Sequence, residues 1–188
     1  MTIVIWVIIG IVVILLIAFV AIYNGLVRLR NQVKNAWAQI DVQLKRRHDL
    51  IPNLIEMVKG YMKYERETLE AITKARTLAQ QATSAGPGER AKVEGELSSA
   101  LTRLLAVAER YPDLKASQNF LSLQEELAST ENKISFSRQF YNDSVLNYNN
   151  QTQMFPSNVI AGMAGFKPGE FFEVTVAEEK EVPKVSLT

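Results

Sequence analysis

The sequence predicts an all-α protein with an N-terminal transmembrane helix, an antiparallel up-and-down four-helix bundle and a short C-terminal β segment. Three observations predict this fold class. An uncharged apolar run stands near the start, apolar side chains then recur every three or four positions, and the last residues alternate apolar with polar. The predicted regions are the anchor, the helical bundle, an apolar capping or interfacial segment, and a β-prone tail: 1–24, 25–150, 151–169 and 170–188.

The apolar run, residues 3–22, has the length of a membrane span. Its twenty residues carry no charge, and the first charged side chain is Arg28. At a rise of about 1.5 Å per residue the run extends about 30 Å, which matches the hydrocarbon core of a bilayer. A basic n-region and a small-residue cleavage site, which mark a signal peptide, are not evident. We therefore predict a single-pass anchor.

The charges beside the span predict its orientation. Arg28, Arg30 and Lys34 follow it before the first acidic residue, Asp41, and nothing basic precedes it. Positively charged flanks stay in the cytoplasm, so we expect the N-terminus outside and the remainder of the chain inside.

Four helices follow from the helical period and from the residues that interrupt it. Gly86-Pro87-Gly88 and Tyr111-Pro112 cannot lie inside a helix, and Asp113 is suited to an N-cap. The predicted helices occupy roughly 26–48, 52–83, 89–110 and 114–150.

Pro52 allows two interpretations. A continuous helix could pass through it with a kink, or the chain could turn back there, with Pro52 opening the next helix. In a continuous helix the half nearest the membrane, including Trp37 and Ile40, would find no partner within the chain. We therefore predict a turn near residue 50. Trp37, the only tryptophan outside the span, is then the predicted core anchor.

The composition offers no catalytic set. The protein has 21 basic and 20 acidic residues, no cysteine and a single histidine without the Glu-x-x-His pairing of a di-metal bundle. We find no nucleophile motif and no phosphate loop. We predict a protein that is not an enzyme and that binds no metal, cofactor, small-molecule substrate or nucleic acid.

Two groups of polar residues remain as candidates. Glu131 and Arg138 fall on the apolar seam of the fourth helix, and we interpret them as a network that selects helix pairing rather than as a ligand site. A charged corner at the predicted turn is either solvated or a binding surface for a partner, and it consists of Arg46, Arg47, His48 and Asp49.

The C-terminal part suggests contacts outside the bundle. Residues 154–166 (MFPSNVIAGMAGF) are apolar and small, and the fourth helix returns them towards the membrane. Beyond them Phe172, Val174 and Val176 alternate with polar residues. Because two strands alone are marginally stable, we expect the tail to pair with another copy or another chain.

Three segments of the chain form a combination specific to one protein family: "AWAQIDVQLKRRHDLIPNLIEMVKGY" (36–61), "YERETLEAITKAR" (64–76) and "ERYPDLKASQNFLSLQEELASTENKISFSRQFYN" (109–142). With these segments the sequence resembles the LemA family, a group of bacterial membrane proteins with one N-terminal span. The resemblance implies a cytoplasmic helical bundle at the bacterial inner membrane and implies no catalytic residues. We expect a self-associating scaffold or, alternatively, a signalling or stress-response adaptor, with the lipid bilayer and other membrane proteins as partners.

Overall fold

A computed structural model describes residues 1–173 of the protein, and within them the fold is all helical, as predicted. Within these residues no strand forms, and Phe172 lies buried in irregular chain. The predicted tail positions Val174 and Val176 lie outside the described residues. The helices are α1 (Thr2–Lys59), α2 (Arg66–Gln81), α3 (Pro87–Ala108), α4 (Pro112–Lys115), α5 (Gln118–Gln153) and α6 (Ser157–Met163), with a 3-10 turn at Ala82–Ser84.

The predicted turn near residue 50 is wrong, because α1 continues through Pro52 to Lys59. A proline inside a helix has no N–H to donate to the carbonyl four residues before it, which here belongs to His48. Arg76 of α2 supplies the missing donor: its Nε lies 3.0 Å from the His48 carbonyl oxygen. The helix therefore keeps its hydrogen bonding without turning.

The chain reverses later than predicted, after Lys59. The amides of Tyr61 and Met62 both bond the Val58 carbonyl oxygen, at 3.0 and 2.8 Å, and the Met62 side chain is fully buried. The first part of the predicted second helix therefore belongs to α1. The predicted break between the second and third helices is confirmed, but α3 begins at Pro87, two residues earlier than predicted, because a proline is accommodated in the first turn of a helix.

The chain forms two compact units, and α1 and α5 each contribute to both. The first unit comprises Met1–Leu44 and Asn132–Glu170. The second comprises Lys45–Glu131 and the described residues from Phe171 onward.

In the first unit α5 covers α1. Ile40 is fully buried, and the ring of Trp37 packs against Tyr141 of α5 with centroids 5.2 Å apart. The expectation that these residues would lack a partner in a continuous helix is therefore wrong. Trp37 itself is only partly buried, whereas Ala36, Ile40 and Leu44 of the same stretch are fully buried and form its core.

The second unit has one hydrophobic core, to which four helical segments contribute. They are the end of α1, α2, α3 and the beginning of α5, and α4 adds Leu114. The most deeply buried side chains are those of Ile51, Leu54, Val58, Met62, Ile72, Ala79, Leu97, Leu104 and Leu114.

Among the helices described, α1 alone is long and apolar enough to cross a membrane. Within residues 1–173 nothing covers its apolar window, in contrast to the buried central helix of a globular core. Length, composition and exposure thus agree with the predicted membrane anchor.

Candidate functional site: a buried ion cluster on Arg47

Arg47 is among the largest fully buried side chains, with 1% of its surface exposed. Its Nη1 donates to Ser98 Oγ and to Glu131 Oε1, both at 2.6 Å. Its Nη2 contacts the Glu94 carboxylate and lies 3.3 Å from the Glu94 carbonyl oxygen. A single guanidinium of α1 therefore joins α3 and α5 in the second unit.

The two ion pairs of Arg47 differ in solvation. The Glu94 side chain is 4% exposed, whereas that of Glu131 is 37% exposed. A buried charge is tolerated only when it is paired and hydrogen-bonded, and the planar fork of arginine suits two carboxylates at once. The Arg47–Glu94 pair is therefore shielded from solvent and depends on accurate geometry, while the Arg47–Glu131 pair is partly screened by water.

His48 adds a second contact to the same carboxylate. It is 6% exposed, and its Nε2 lies 3.2 Å from a carboxylate oxygen of Glu94. An ionised carboxylate only accepts hydrogen bonds, so Nε2 carries the proton in this pair. Since the His48 backbone carbonyl bonds Arg76 of α2, the residue links three helices.

The cluster keeps Glu94 ionised. Burial raises the pKa of this carboxyl, but the hydrogen bond from His48 and the charge of Arg47 lower it by more, so the pKa lies below its usual value. A carboxylate with a low pKa, held by two partners, is a fixed counter-charge. We interpret these ion pairs and hydrogen bonds as the interactions that set the register of the helices in the second unit.

The structure corrects the predicted charged corner. Arg47 and His48 are not solvated, because α1 does not turn and both residues face α3. Arg46 and Asp49 are exposed, and Arg46 pairs with Glu126 of α5 at 2.7 Å. The four residues therefore do not form one surface.

The other predicted pair is divided between the units. Glu131 lies in the cluster with Arg47 and Ser98. Arg138, two turns farther along α5, is partly buried in the first unit.

Glu94 was missed by the sequence analysis, although a signal existed. It lies in register with Leu97, Leu101 and Leu104 on the apolar seam of α3, the same placement that identified Glu131 on α5. Arg90, one turn before Glu94, is also on this seam and is 3% exposed. Charged residues in phase with a leucine repeat predict a buried polar network.

A groove of about 660 Å³ lies where the end of α1 meets α2. Its apolar side chains are Ile55, Met62 and Leu69, and four basic residues surround them against one acidic residue, Glu70. The basic residues are Lys59, Lys63, Arg66 and Lys74. Among the residues that the structure describes, no group of three or more histidine or acidic side chains is arranged to hold a metal ion.

The comparison with protein families decides the identity of the chain. The model of the LemA family matches residues 36–187, a range that includes the complete ion cluster. The chain belongs to the LemA family. The family predicted from the sequence motifs is thereby confirmed.

Relatives of this LemA family member include proteins with two kinds of name. Protein LemA of Metamycoplasma hominis is 26% identical over 166 residues, covering 87% of this chain and 72% of that protein. Magnetosome proteins MamQ 1 and MamQ 2 of Paramagnetospirillum magneticum are each 25% identical over 175 residues, covering 80% of this chain. The chain spans 64% of the length of these magnetosome proteins.

Proposed function

We propose that this LemA family member is a membrane-anchored, non-enzymatic scaffold that self-associates and organises partners at the cytoplasmic face of the bacterial inner membrane. An exposed apolar face on α5 carries the proposal. Phe136 and Phe140 are 72% and 42% exposed, and they lie four residues apart on one side of the helix. Neighbouring exposed aromatic side chains are typical of a surface that another protein covers.

The rest of α5 shows why these phenylalanines are not needed inside the chain. In the first unit Ile134, Tyr141 and Val145 are buried on the side of α5 that packs within the unit. The fold therefore has its core without Phe136 and Phe140. A surface that is apolar but unused by the monomer supports contact with another copy.

The proposal assigns the second unit a rigid supporting role. We take its four helical segments as an up-and-down bundle with short connections, in which α1 supplies the first segment. The Arg47 cluster then fixes the pairing of these segments. A bundle of fixed geometry suits a protein that positions other proteins.

The native mass of the detergent-solubilised protein tests self-association. Phe136→Ser combined with Phe140→Ser should lower the mass while helical circular dichroism is retained. Tyr64→Ser is the control, because Tyr64 is 95% exposed in the second unit. A mass equal to that of the unaltered protein would exclude this face as the assembly surface, and a monomeric unaltered protein would exclude the scaffold.

The groove between α1 and α2 favours a second candidate, an adaptor. Apolar side chains beside four cations match an acidic, amphipathic segment of another membrane protein. Lys63→Glu with Lys74→Glu should then abolish one crosslinked partner in native membranes and leave the native mass unchanged. If the crosslinking pattern is the same with and without the charge reversal, the adaptor is excluded.

A further inference from the structure

α6 packs directly on α1 just beyond the membrane span. Leu26 of α1 is fully buried in a cluster with Ile160 and Ala161 of α6. The ring of Tyr23 meets Phe166 edge-on, with centroids 5.8 Å apart. Leu26 lies four residues after Ile22, the last residue of the apolar run, which is about 6 Å along a helix. The head-group region of a bilayer extends about 5–7 Å on each side of the hydrocarbon core, so a bilayer around residues 3–22 would have α6 at the depth of its head groups.

The opposite side of this segment exposes large apolar groups. Met154 and Phe155, just before α6, are 60% and 83% exposed, and Val159 and Met163 on α6 are 54% and 77% exposed. Val159 and Met163 are four residues apart and share one face, while Ile160 and Ala161 face α1. A short helix with one side on its own chain and one apolar side uncovered needs an apolar surrounding.

The charge pattern identifies that surrounding. Residues 144–166 contain no charged side chain, and charge returns with Lys167. On α1 the first charges after the span are basic, Arg28 and Arg30, and the Arg30 guanidinium lies 5.0 Å from the centre of the Phe166 ring. Asp143 of α5, the charge that precedes this stretch, is eleven residues before Met154, whereas the charges nearest to α6 are the cations Arg30 and Lys167. Uncharged apolar groups beside cations match the boundary between acyl chains and anionic head groups.

We propose that residues 154–163 form a second membrane contact, inserted in the interface of the leaflet from which α1 emerges. Phe155 and Met163 lie among the upper acyl chains, and Arg28 and Lys167 are at the level of the lipid phosphates. The inference deepens the proposed function and rests on the anchoring of residues 3–22 in a bilayer. With two contacts instead of one, the first unit is held against the membrane rather than free to pivot about its span.

Site-directed spin labelling of the full chain tests this contact. The protein has no cysteine, so each single-cysteine variant carries one label. The test positions are Phe155→Cys and Met163→Cys, in vesicles of phosphatidylcholine and phosphatidylglycerol. Ile14→Cys, 66% exposed within the span, is the lipid control. Val42→Cys is the aqueous control, since it is 62% exposed and lies twenty residues, or about 30 Å, beyond Ile22 on the same helix.

Collision rates with oxygen, which concentrates in lipid, and with a nickel chelate, which stays in water, give the result. At positions 155 and 163, as at position 14, we expect the collision rate with oxygen to exceed the collision rate with the nickel chelate. At position 42 we expect the nickel rate to be the higher of the two. Nickel access at 155 equal to that at 42 overturns the interfacial contact. Low collision rates with both reagents at positions 155 and 163 also overturn the interfacial contact, because they indicate that protein covers these positions. Nickel access at 14 would instead overturn the anchoring itself, so the two failures are distinguishable.

Discussion

Arg76 of α2 donates its Nε–H to the backbone carbonyl oxygen of His48 in α1, at 3.0 Å. This carbonyl would otherwise lack a helical partner, because the residue four positions later is Pro52. One side chain of a neighbouring helix thus completes the hydrogen bonding of α1 at the point where a proline interrupts it.

Arg76→Leu should lower the free energy of unfolding by about 1–3 kcal/mol, since it leaves the His48 carbonyl buried without a donor. Chemical denaturation in detergent, followed by circular dichroism, measures the change. Arg66→Leu on the same helix is the control and should leave the midpoint unchanged, because Arg66 is exposed.

Pro52→Ala tests whether Arg76 replaces the N–H donor that Pro52 lacks. Alanine at this position restores the N–H within α1, so Arg76→Leu should cost less in the Pro52→Ala background than in the unaltered chain. Equal costs in both backgrounds would show that Arg76 does not substitute for the missing donor.

Arg46 and Arg47 are adjacent, and their predicted contributions differ. Arg47→Ala leaves Glu94 buried without its counter-charge and should cost about 3–5 kcal/mol. Arg46→Ala removes an ion pair whose side chains are 48% and 42% exposed and should cost less than about 1 kcal/mol. Denaturation of both variants under one set of conditions measures the two losses of unfolding free energy, and Arg46→Ala serves as the control for Arg47→Ala. Similar losses from both would contradict the assignment of the cluster.

The lowered pKa of Glu94 predicts sensitivity to acid. A carboxyl whose folded pKa is depressed contributes stability above its unfolded pKa, about 4.3, and that contribution is lost as the pH falls through the lower folded pKa. Stability should therefore decrease on acidification below about pH 4.3. Glu94→Gln should show a smaller decrease over the same range, measured as the denaturation midpoint against pH. An unchanged pH profile would mean that other carboxylates dominate.

The basic flank of the span predicts the orientation of the protein. Protease added outside intact spheroplasts should leave residues 25–188 undigested, because basic flanks such as Arg28, Arg30 and Lys34 favour the cytoplasmic side of a membrane. Lysed spheroplasts supply the control for protease activity. Digestion of the whole domain in intact spheroplasts would reverse the orientation.

Deletion of residues 174–188 tests whether the tail contributes to assembly. The cut leaves the buried Phe172 in place, and it also retains the Glu170 carbonyl oxygen that accepts the Tyr141 hydroxyl at 2.8 Å. We expect unchanged helical circular dichroism and a lower native mass, since alternating apolar residues favour pairing with another chain. If the truncated protein keeps its mass, assembly depends on the helices or the span.

The sequence by itself determined the features that depend on neighbouring residues. The prediction of a membrane anchor follows from twenty residues without a charge, and the break before α3 follows from Gly86-Pro87-Gly88, although α3 begins at Pro87 rather than at residue 89. The helical class follows from a three-to-four residue repeat, and the LemA family follows from contiguous motifs. Each of these signals is complete within a short stretch of chain.

Only the tertiary structure decided what happens at Pro52 and where the charges beside it lie. A proline alone permits either a turn or a continued helix, and the donor that allows continuation, Arg76, is 28 residues from His48. The residues next to Arg47 in the sequence predict a solvated charge. Its burial is possible because it pairs with Glu94, 47 residues away. Hydrogen bonds and ion pairs between helices determine these outcomes, because a buried polar group is stable only when a partner arrives from elsewhere in the chain.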